Sequence, residues 1–409
     1  MRVLCVLGEF NYGNPMRGRS YEYCNFIPAL KNLGHEVEIL ESWNREKYES
    51  FIGLNCAFLG KVIDFNPEVI FCVLLGYELW IDTLDIARKL SRCLIINWGT
   101  DDSWRYRQFS RLVAPSFDAY VTTYESALCK ARSEGYQNII LTQWAANSIN
   151  LNPPLPASEC RFQVSFVGTA YGNRPKWVSA LREHGITVDC FGYGWENGPI
   201  AAKDIPCIMR ESKISLNFGD SGIVLTGLVP HRDRQIKARI FEVPGSGGFL
   251  LTEGAKGIDK FYVPGEELVI FDTFDSLVSK ITYFLSHPEK RDQIACAGFQ
   301  RTCKEHTYEQ RFGEILAYAC SEKRRCNVST YENLVDYKKE YLQLVDRHSA
   351  GFLLKILKRM LLVPCVLIWG KRKGPRAARK ILFEISWRIF GKKTYTAAGL
   401  PGRLFYRES

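Results

Sequence analysis

The chain lacks an apolar run long enough to cross a bilayer, and it lacks several familiar motifs. Its longest apolar run is Met360–Trp369, about half of the roughly 20 residues that a membrane-spanning helix needs, and Pro364 interrupts it. There is no C-x-x-C pair, and the six histidines do not cluster, so no zinc-site pattern is present. No D-x-D triad and no G-x-G-x-x-G fingerprint occurs. These absences argue against a zinc-binding module, and we expect no cofactor and no bound metal ion.

The cysteines are numerous but unpatterned. Many of the 14, such as Cys5, Cys72 and Cys190, lie in or beside apolar runs, where a free cysteine behaves as a small hydrophobic residue. This usage is typical of a reducing cytosol rather than of a secreted disulfide scaffold. The first residues resemble a short strand followed by Gly8, which is too short for the apolar region of a signal peptide. We therefore predict a cytoplasmic protein.

The positive charge is concentrated near the C-terminus. The formal net charge is +10, and the segment 346–409 holds 15 Lys and Arg against 3 Asp and Glu. The rest of the chain is therefore close to neutral. In the same region, 351–393 is rich in apolar and aromatic residues. Helices over about 350–362 and 376–390 would place apolar side chains on one face and cations on the other, as in helices that lie on anionic membranes.

Apolar runs alternate with helical patterns over the first 320 residues, which predicts parallel sheets covered by helices. A proline-rich break at 152–156 separates two such series. We predict an α/β protein with two Rossmann-like domains facing a cleft and an amphipathic helical tail. The predicted bounds are 1–152, 153–325 and 326–409.

The segment 235–253 combines cations, a carboxylate and a glycine turn. Lys237 and Arg239 can face a diphosphate, and Glu242 can accept hydrogen bonds from vicinal hydroxyls. In the turn that follows, Gly247 and Gly248 would let backbone N–H groups approach a ligand closely. Together these features suit a nucleotide-sugar. The alternative is a helix–turn–strand unit with incidental surface charges.

Other candidate residues follow predicted strands, where parallel sheets present their chemistry. Asp101 and Asp102 follow one strand, and either could orient or deprotonate an acceptor hydroxyl, or cap the helix predicted from Ser103. Gly168 and Arg174 bracket a strand-to-helix turn that could meet phosphate or be an ordinary connection.

The loop after the first strand offers a further set, which either faces the cleft or is simply solvated. Gly13, Arg17 and Tyr21 are its acceptor-side candidates. His231 could likewise face the cleft or lie in a solvated loop.

Several motifs in order resemble glycosyltransferases of the CgeB-like, spore-maturation group, within the broader family 4-like enzymes of GT-B architecture. The motifs are R-x-FE-x-P-x-x-GGFLLTE at 239–253, SKISLNFG at 212–219, FVGTAYGNR at 166–174 and EHTYEQR at 305–311, with NWGTDDSWRYRQF at 97–109 and the start of the chain. The resemblance covers roughly residues 1–320. It implies two Rossmann-like domains and a nucleotide-sugar donor held by the second.

The resemblance also indicates a departure at the donor site. Retaining family 4 enzymes place two glutamates eight positions apart on the donor sugar and the ribose. Glu242 matches the second, but Arg234 stands at the position of the first, with Asp233 one step away. The sugar contact and the stereochemical outcome are therefore open. Arg234, Lys237 and Arg239 would neutralise the diphosphate leaving group without an obligatory divalent ion.

These observations predict a hexosyltransferase-type enzyme of polysaccharide biosynthesis. It would use a nucleotide-diphosphate-sugar and a glycan or lipid-linked acceptor, and its tail would hold it on the anionic inner face of the plasma membrane. Two alternatives stay open: a nucleotide-sugar epimerase on the same fold, and a non-catalytic nucleotide-sugar-binding protein at the membrane. We expect no nucleic-acid partner, because the apolar face of the tail is too large for a phosphate-tracking arm.

Overall fold

In a computed structural model of the protein, residues 1–226, 229–321 and 334–408 are described, with no side-chain detail for 220–233 and 334. The chain divides into two compact units, one of Met1–Gln143 with Phe312–Ser409 and the other of Trp144–Arg311. The predicted boundary between 325 and 326 lies outside the described residues.

The first unit is built on a six-stranded parallel sheet of order β2-β1-β3-β4-β5-β6. Its central strands are mostly apolar and buried because helices cover both faces, as in other parallel sheets. The strands are β1 Arg2–Leu7, β2 Glu36–Glu41, β3 Val69–Cys72, β4 Leu94–Trp98, β5 Ala119–Thr122 and β6 Ile139–Leu141. The helices between them are α1 Tyr21–Asn32, α2 Phe51–Phe65, α3 Ile81–Ser91, α4 Asp102–Arg105, α5 Arg111–Val113 and α6 Glu125–Ser133.

The second unit is built on a five-stranded parallel sheet of order β13-β12-β9-β7-β8, with a separate antiparallel hairpin of β10 and β11. Its strands are β7 Phe162–Val167, β8 Asp189–Phe191, β9 Ser212–Asn217, β10 Asp220–Thr226, β11 Val229–Arg234, β12 Leu250–Glu253 and β13 Val269–Phe271. Its helices are α7 Arg174–Glu183, α8 Ile205–Arg210, α9 Arg239–Gly245, α10 Phe274–Ser286 and α11 Pro288–Glu305. The two parallel-sheet α/β domains predicted from sequence are confirmed.

The C-terminal region is helical, as predicted, and packs on the first unit. It contains α12 Tyr308–Ser321, of which the residues from Phe312 onward belong to this unit, α13 Leu334–His348, α14 Phe352–Phe390 and α15 Leu400–Leu404. The prediction of two tail helices, one ending near 362, needs correction. The chain stays helical through Pro364 and breaks at Gly370, where φ is +75°.

The break at Gly370 lets the second part of α14 fold back along the first. A Cβ on Gly374 would lie only 2.6 Å from Cα of Val366, so the two segments touch through backbone at this point. Leu357 and Leu361 of the first segment pack in one cluster with Ala378 and Leu382 of the second. The opposite face of the first segment is open. Among the described residues, no helix is both long enough and apolar enough to cross a membrane.

Candidate functional site

Three predicted donor-side residues of the second unit gather around Phe166 on β7. The guanidinium carbons of Arg174 and Arg239 lie 5.3 and 5.4 Å from the centre of its ring. A Cβ on Gly168, which follows β7, would lie 3.1 Å from Nη1 of Arg239. Gly168, Arg174 and Arg239 therefore lie close together, where the carboxyl ends of the parallel strands present a binding edge.

Asn217 joins this cluster at the end of β9, although the sequence analysis did not single it out. Nε of Arg239 donates to Oδ1 of Asn217 over 3.1 Å, and the Asn217 amide donates to the hydroxyl of Thr252 over 2.9 Å. The side chain is fully buried, so these hydrogen bonds hold Arg239 against the ends of β9 and β12. Asn217 is the last residue of the strand SKISLN, and this position is the sequence feature that could have marked it as a site residue.

Arg174 is almost entirely buried at the start of α7. Its guanidinium donates to the carbonyl of Thr169 and the hydroxyl of Tyr171, both over 3.0 Å, and to the carbonyl of Phe218 over 3.5 Å. The side chain therefore holds the turn between β7 and α7 in place. Contact of Arg174 with phosphate stays a prediction.

Glu242 is partly exposed on α9, between the buried residues Phe241 and Val243. Lys237, just before the helix, donates from Nζ to Oε1 of Gln235 over 2.8 Å. Contact of Lys237 and Glu242 with a donor stays a prediction.

Arg234, which occupies the position of the family's first glutamate, is bound by two carboxylates. Its guanidinium lies 3.0 Å from Glu253 at the end of β12 and 3.0 Å from Asp272 after β13. The sequence analysis missed both partners, although each follows an apolar strand. The predicted contact of Arg234 with a diphosphate stays a prediction. The side chains of His231 and Asp233 lie outside the described residues.

The glycine turn after α9 is shaped by packing. The amides of Gly247 and Gly248 donate to the carbonyls of Pro244 and Val243, over 2.9 and 2.8 Å, and close the helix. A Cβ on Gly247 would lie 2.5 Å from the carbonyl oxygen of Asn152, and the φ of Gly247 is +82°. Close backbone contact thus accounts for this glycine, and a ligand role for the turn stays a prediction.

The acceptor-side candidates lie in the loop after β1 and at the start of α1. Gly13 is buried with φ of +69°, and a Cβ there would collide with the carbonyl of Trp43. Arg17 is exposed and its guanidinium carbon lies 5.2 Å from the centre of the Tyr12 ring. Tyr21 is the first residue of α1, which Ser20 caps by accepting from the amide of Tyr23 over 3.0 Å. Their contact with an acceptor stays a prediction.

The two adjacent aspartates are in different environments. Asp101 is exposed and precedes α4, with φ of +58° and no side-chain capping hydrogen bond. Asp102 is 2% exposed and accepts a hydrogen bond from the hydroxyl of Ser110, which in turn accepts from Tyr120 over 2.9 Å. Burial raises the pKa of Asp102 to about 6, against the lowering effect of its hydrogen bonds. Of the two, Asp101 is the one that solvent reaches.

Glu22 is a third carboxyl of this region that the sequence analysis missed. It is 8% exposed in the first turn of α1, and burial raises its pKa to about 7, with the nearby charge of Asp101 acting in the same direction. Asp101 follows β4 and Glu22 follows β1. The two carboxyl groups therefore interact electrostatically only because the chain folds. A carboxyl that titrates near neutral pH beside a second carboxyl is a recurrent feature of acid–base sites.

We expect Glu22→Gln to stabilise the protein above pH 7 and to have little effect near pH 4. The native state binds the proton of Glu22 more tightly than the unfolded chain, so stability falls as pH rises from the ordinary value of 4.5 to about 7. Removing the charge recovers this loss, on the order of 1 to 3 kcal/mol. Urea unfolding at pH 4, 6 and 8 measures it, with the exposed Glu36→Gln as control. Equal effects at all three pH values would contradict the prediction.

The sequence also predicts that the protein needs no divalent metal ion. Within the ranges that the structure describes, no three His, Cys, Asp or Glu side chains come together as a metal-binding group. Metal independence of the chemistry stays a prediction.

Comparison with known proteins places most of the matched region on the second unit. Residues 174–317, less than half of the chain, match the protein-family model described as "Glycosyl transferase-like". This range contains Arg174, Arg234, Lys237, Arg239 and Glu242. No curated protein matches the chain significantly.

Solved structures share the fold at low sequence identity. HepE from Anabaena, in complex with UDP and glucose, aligns with a TM-score of 0.54 at 12% identity over 78% of this chain and 100% of its own. A sucrose-phosphate synthase from Thermosynechococcus elongatus aligns with a TM-score of 0.52 at 11% identity, over 78% and 100%. A glycosyltransferase from Rickettsia africae gives 0.51 at 12% identity, over 78% and 98%. The predicted GT-B fold is confirmed.

Proposed function

We propose that this chain, a glycosyltransferase with the GT-B fold, moves a hexose from a nucleotide-diphosphate-sugar to a glycan or lipid-linked acceptor at a membrane surface. The proposal is based on one observation: two independent findings both involve Arg174. The glycosyl transferase-like region begins at Arg174, and Arg174 lies with Gly168 and Arg239 at the carboxyl ends of the strands. In this proposal the chain is a CgeB-like member of the family 4-like enzymes.

In this proposal the second domain contributes to catalysis by stabilising charge. Arg239 and Lys237 neutralise the charge that develops on the departing diphosphate, which is the role a metal ion has in other transferases. Glu242 accepts hydrogen bonds from the ribose hydroxyls. The donor we propose is a UDP-sugar, because Anabaena HepE is described in complexes with UDP and glucose and with UDP-glucose.

The first domain supplies the groups that act on the acceptor. Asp101 is exposed and close to Glu22, whose raised pKa keeps a proton near neutral pH. In our proposal Asp101 orients the acceptor hydroxyl or takes its proton, and Asp102 supports it from the buried side. A base must reach the proton that it removes, and the exposure of Asp101 meets this requirement.

The membrane part of the proposal is based on the open face of α14. Phe352, Ile356, Met360, Val363 and Leu367 are exposed at spacings of three and four residues, which places them along one side of the helix. Exposed cations accompany them, namely Lys355, Arg359, Lys371, Arg372 and Lys373. An apolar face bordered by cations suits an anionic lipid surface, and each cation adds about 1 kcal/mol there. We propose that this face rests on the inner leaflet of the plasma membrane.

One experiment tests these parts separately. The full chain is incubated with UDP-, GDP-, CMP- and dTDP-sugars, with and without phosphatidylglycerol vesicles, and followed by nucleotide release, sugar analysis and co-sedimentation. We expect release from a UDP-sugar and co-sedimentation that falls with salt. No binding or turnover of any donor would refute the glycosyltransferase proposal, and failure to co-sediment would refute the membrane part alone.

The same experiment distinguishes the two alternatives. An epimerase would return an altered sugar without any acceptor. A non-catalytic binding protein, which the Arg at position 234 motivates, would bind the nucleotide-sugar and release nothing.

A further inference from the structure

A cavity of about 480 Å³ opens within the first unit, at the carboxyl ends of its parallel strands. The loops after β1 to β4 form one side of it, and the second segment of α14 forms the other. Tyr77 and Glu78 follow β3, Trp104 lies on α4, and Arg379 and Phe383 come from α14. The C-terminal helix therefore completes a pocket at the edge of the sheet where α/β proteins bind ligands.

Aromatic and charged residues line the pocket together, and two of the aromatic rings are open to a ligand. Tyr12 and Trp104 are 77% and 62% exposed, unusual values for rings of this size. The ring centre of Phe383, on the α14 side, lies 6.1 Å from that of Tyr77 on the loop side. Flat apolar surfaces of this kind, with polar edges nearby, suit the faces of sugar rings.

The pocket also contains buried charged groups whose hydrogen bonding is incomplete. Oε2 of Glu78, on a side chain only 1% exposed, has no hydrogen-bond partner in the part of the chain that the structure describes. The Nε atoms of Arg45 and Arg379, which are buried although their side chains are only half-buried, also have no hydrogen-bond partner among the described residues. Arg105, by contrast, donates to the carbonyl of Leu75 and to Thr100. The pocket wall thus presents the guanidinium groups of Arg45 and Arg379 and the carboxylate of Glu78, a set that suits a ligand with both anionic and hydroxyl groups.

A second cavity of about 420 Å³ continues the first along α14. Trp104, Lys380 and Glu384 line both. Trp387 and Arg388 lie beyond them, and the indole of Trp387 donates to Glu384 over 3.0 Å. Aromatic rings and cations thus line both cavities.

We infer that this pocket binds a saccharide that carries an anionic group, a phosphate or a carboxylate, and that α14 sets this specificity. Arg45 and Arg379 would receive the anion, Trp104 would stack on the ring and Glu78 would accept from its hydroxyls. Taking this saccharide as the acceptor depends on the proposed function. The binding itself does not.

The test is calorimetric titration of the full chain with excess UDP present, so that the sugar-phosphate probe does not report on the nucleotide site. The probes are N-acetylglucosamine 1-phosphate, glucuronic acid, methyl glucoside and inorganic phosphate. We expect one of the two anionic sugars to bind at least about tenfold more tightly than methyl glucoside, as a charge-assisted hydrogen bond requires. The tighter of the two identifies the phosphate or the carboxylate as the natural anion.

Variants locate the binding site. Arg379→Gln is expected to abolish the preference for the anion, and Trp104→Ala to weaken both kinds of sugar about tenfold. Arg376→Gln, on the same helix but outside the pocket, is the matched control, and Lys380→Gln is an exposed substitution should Arg379→Gln unfold the tail. Absence of anionic-sugar binding, equal affinity for inorganic phosphate, or unchanged affinity in both pocket variants would overturn the inference.

A thermal shift on UDP-free protein, measured before and after UDP is added, separates this inference from the proposed function. Saccharide binding without any response to UDP would contradict the donor proposal and leave the pocket assigned. A UDP response without saccharide binding would do the reverse.

Discussion

Glu242→Gln is expected to lower kcat/KM for sugar transfer by about a hundredfold. In the proposed site the carboxylate accepts two charge-assisted hydrogen bonds from vicinal hydroxyls, and the amide can accept only at its single oxygen. Each such bond contributes about 1.5 to 3 kcal/mol, so weakening the pair gives an effect of this size. Steady-state kinetics with the preferred nucleotide-sugar measure it.

A surface glutamate of the same unit provides the control. Glu266 is exposed in the loop before β13, and Glu266→Gln removes the same charge without touching α9. We expect this variant to keep the activity of the unmodified enzyme. If Glu242→Gln were equally active, the carboxylate would have no part in donor binding and the assignment of the donor site would fail.

Arg291→Met is expected to destabilise the second unit by about 3 to 5 kcal/mol. Arg291 on α11 is fully buried, and its guanidinium donates to the carbonyls of Lys213, Ser212 and Leu155 over 2.8, 2.9 and 2.9 Å. The substitution leaves three buried carbonyls without these donors. It also removes the cation beside Asp292, which lies 3.0 Å away.

Urea unfolding followed by hydrogen exchange at β9 measures this loss, because a chain of two units need not unfold in one step. Lys290→Met is the matched control, since the neighbouring Lys290 is exposed. We expect this control to change stability by less than about 0.5 kcal/mol. A loss below about 1 kcal/mol in Arg291→Met would show that water replaces the guanidinium at the three carbonyls.

Most of the strands could be predicted to within two or three residues, since buried parallel strands are short apolar runs that end at polar residues. The hairpin of β10 and β11 was not predicted. Its sequence, DSGIVLT and VPHRDR, is mixed in polarity and carries neither a strict alternation nor a continuous apolar run. The break of α14 at Gly370 was also missed, because proline at 364 is the stronger local signal for a helix end.

The partners of charged residues could not be predicted. Arg234 meets Glu253 and Asp272, which lie far along the chain, and Glu22 feels the charge of Asp101 only because α1 and α4 follow strands of one sheet. The sequence also could not predict that two adjacent residues differ in solvent exposure. Asp101 is exposed, and Asp102 is buried beneath it.

The order of the apolar runs and the glycosyltransferase-like motifs were sufficient, on their own, to predict the fold class and the kind of enzyme. Both depend on local patterns, namely the period of hydrophobic residues and short ordered motifs. The packing of the C-terminal helix against the first sheet was decided by tertiary structure alone. Its basic residues suggested only a membrane contact, whereas folding also places Arg379 and Phe383 beside Trp104 and Glu78, because side-chain packing joins segments roughly 300 residues apart in the chain.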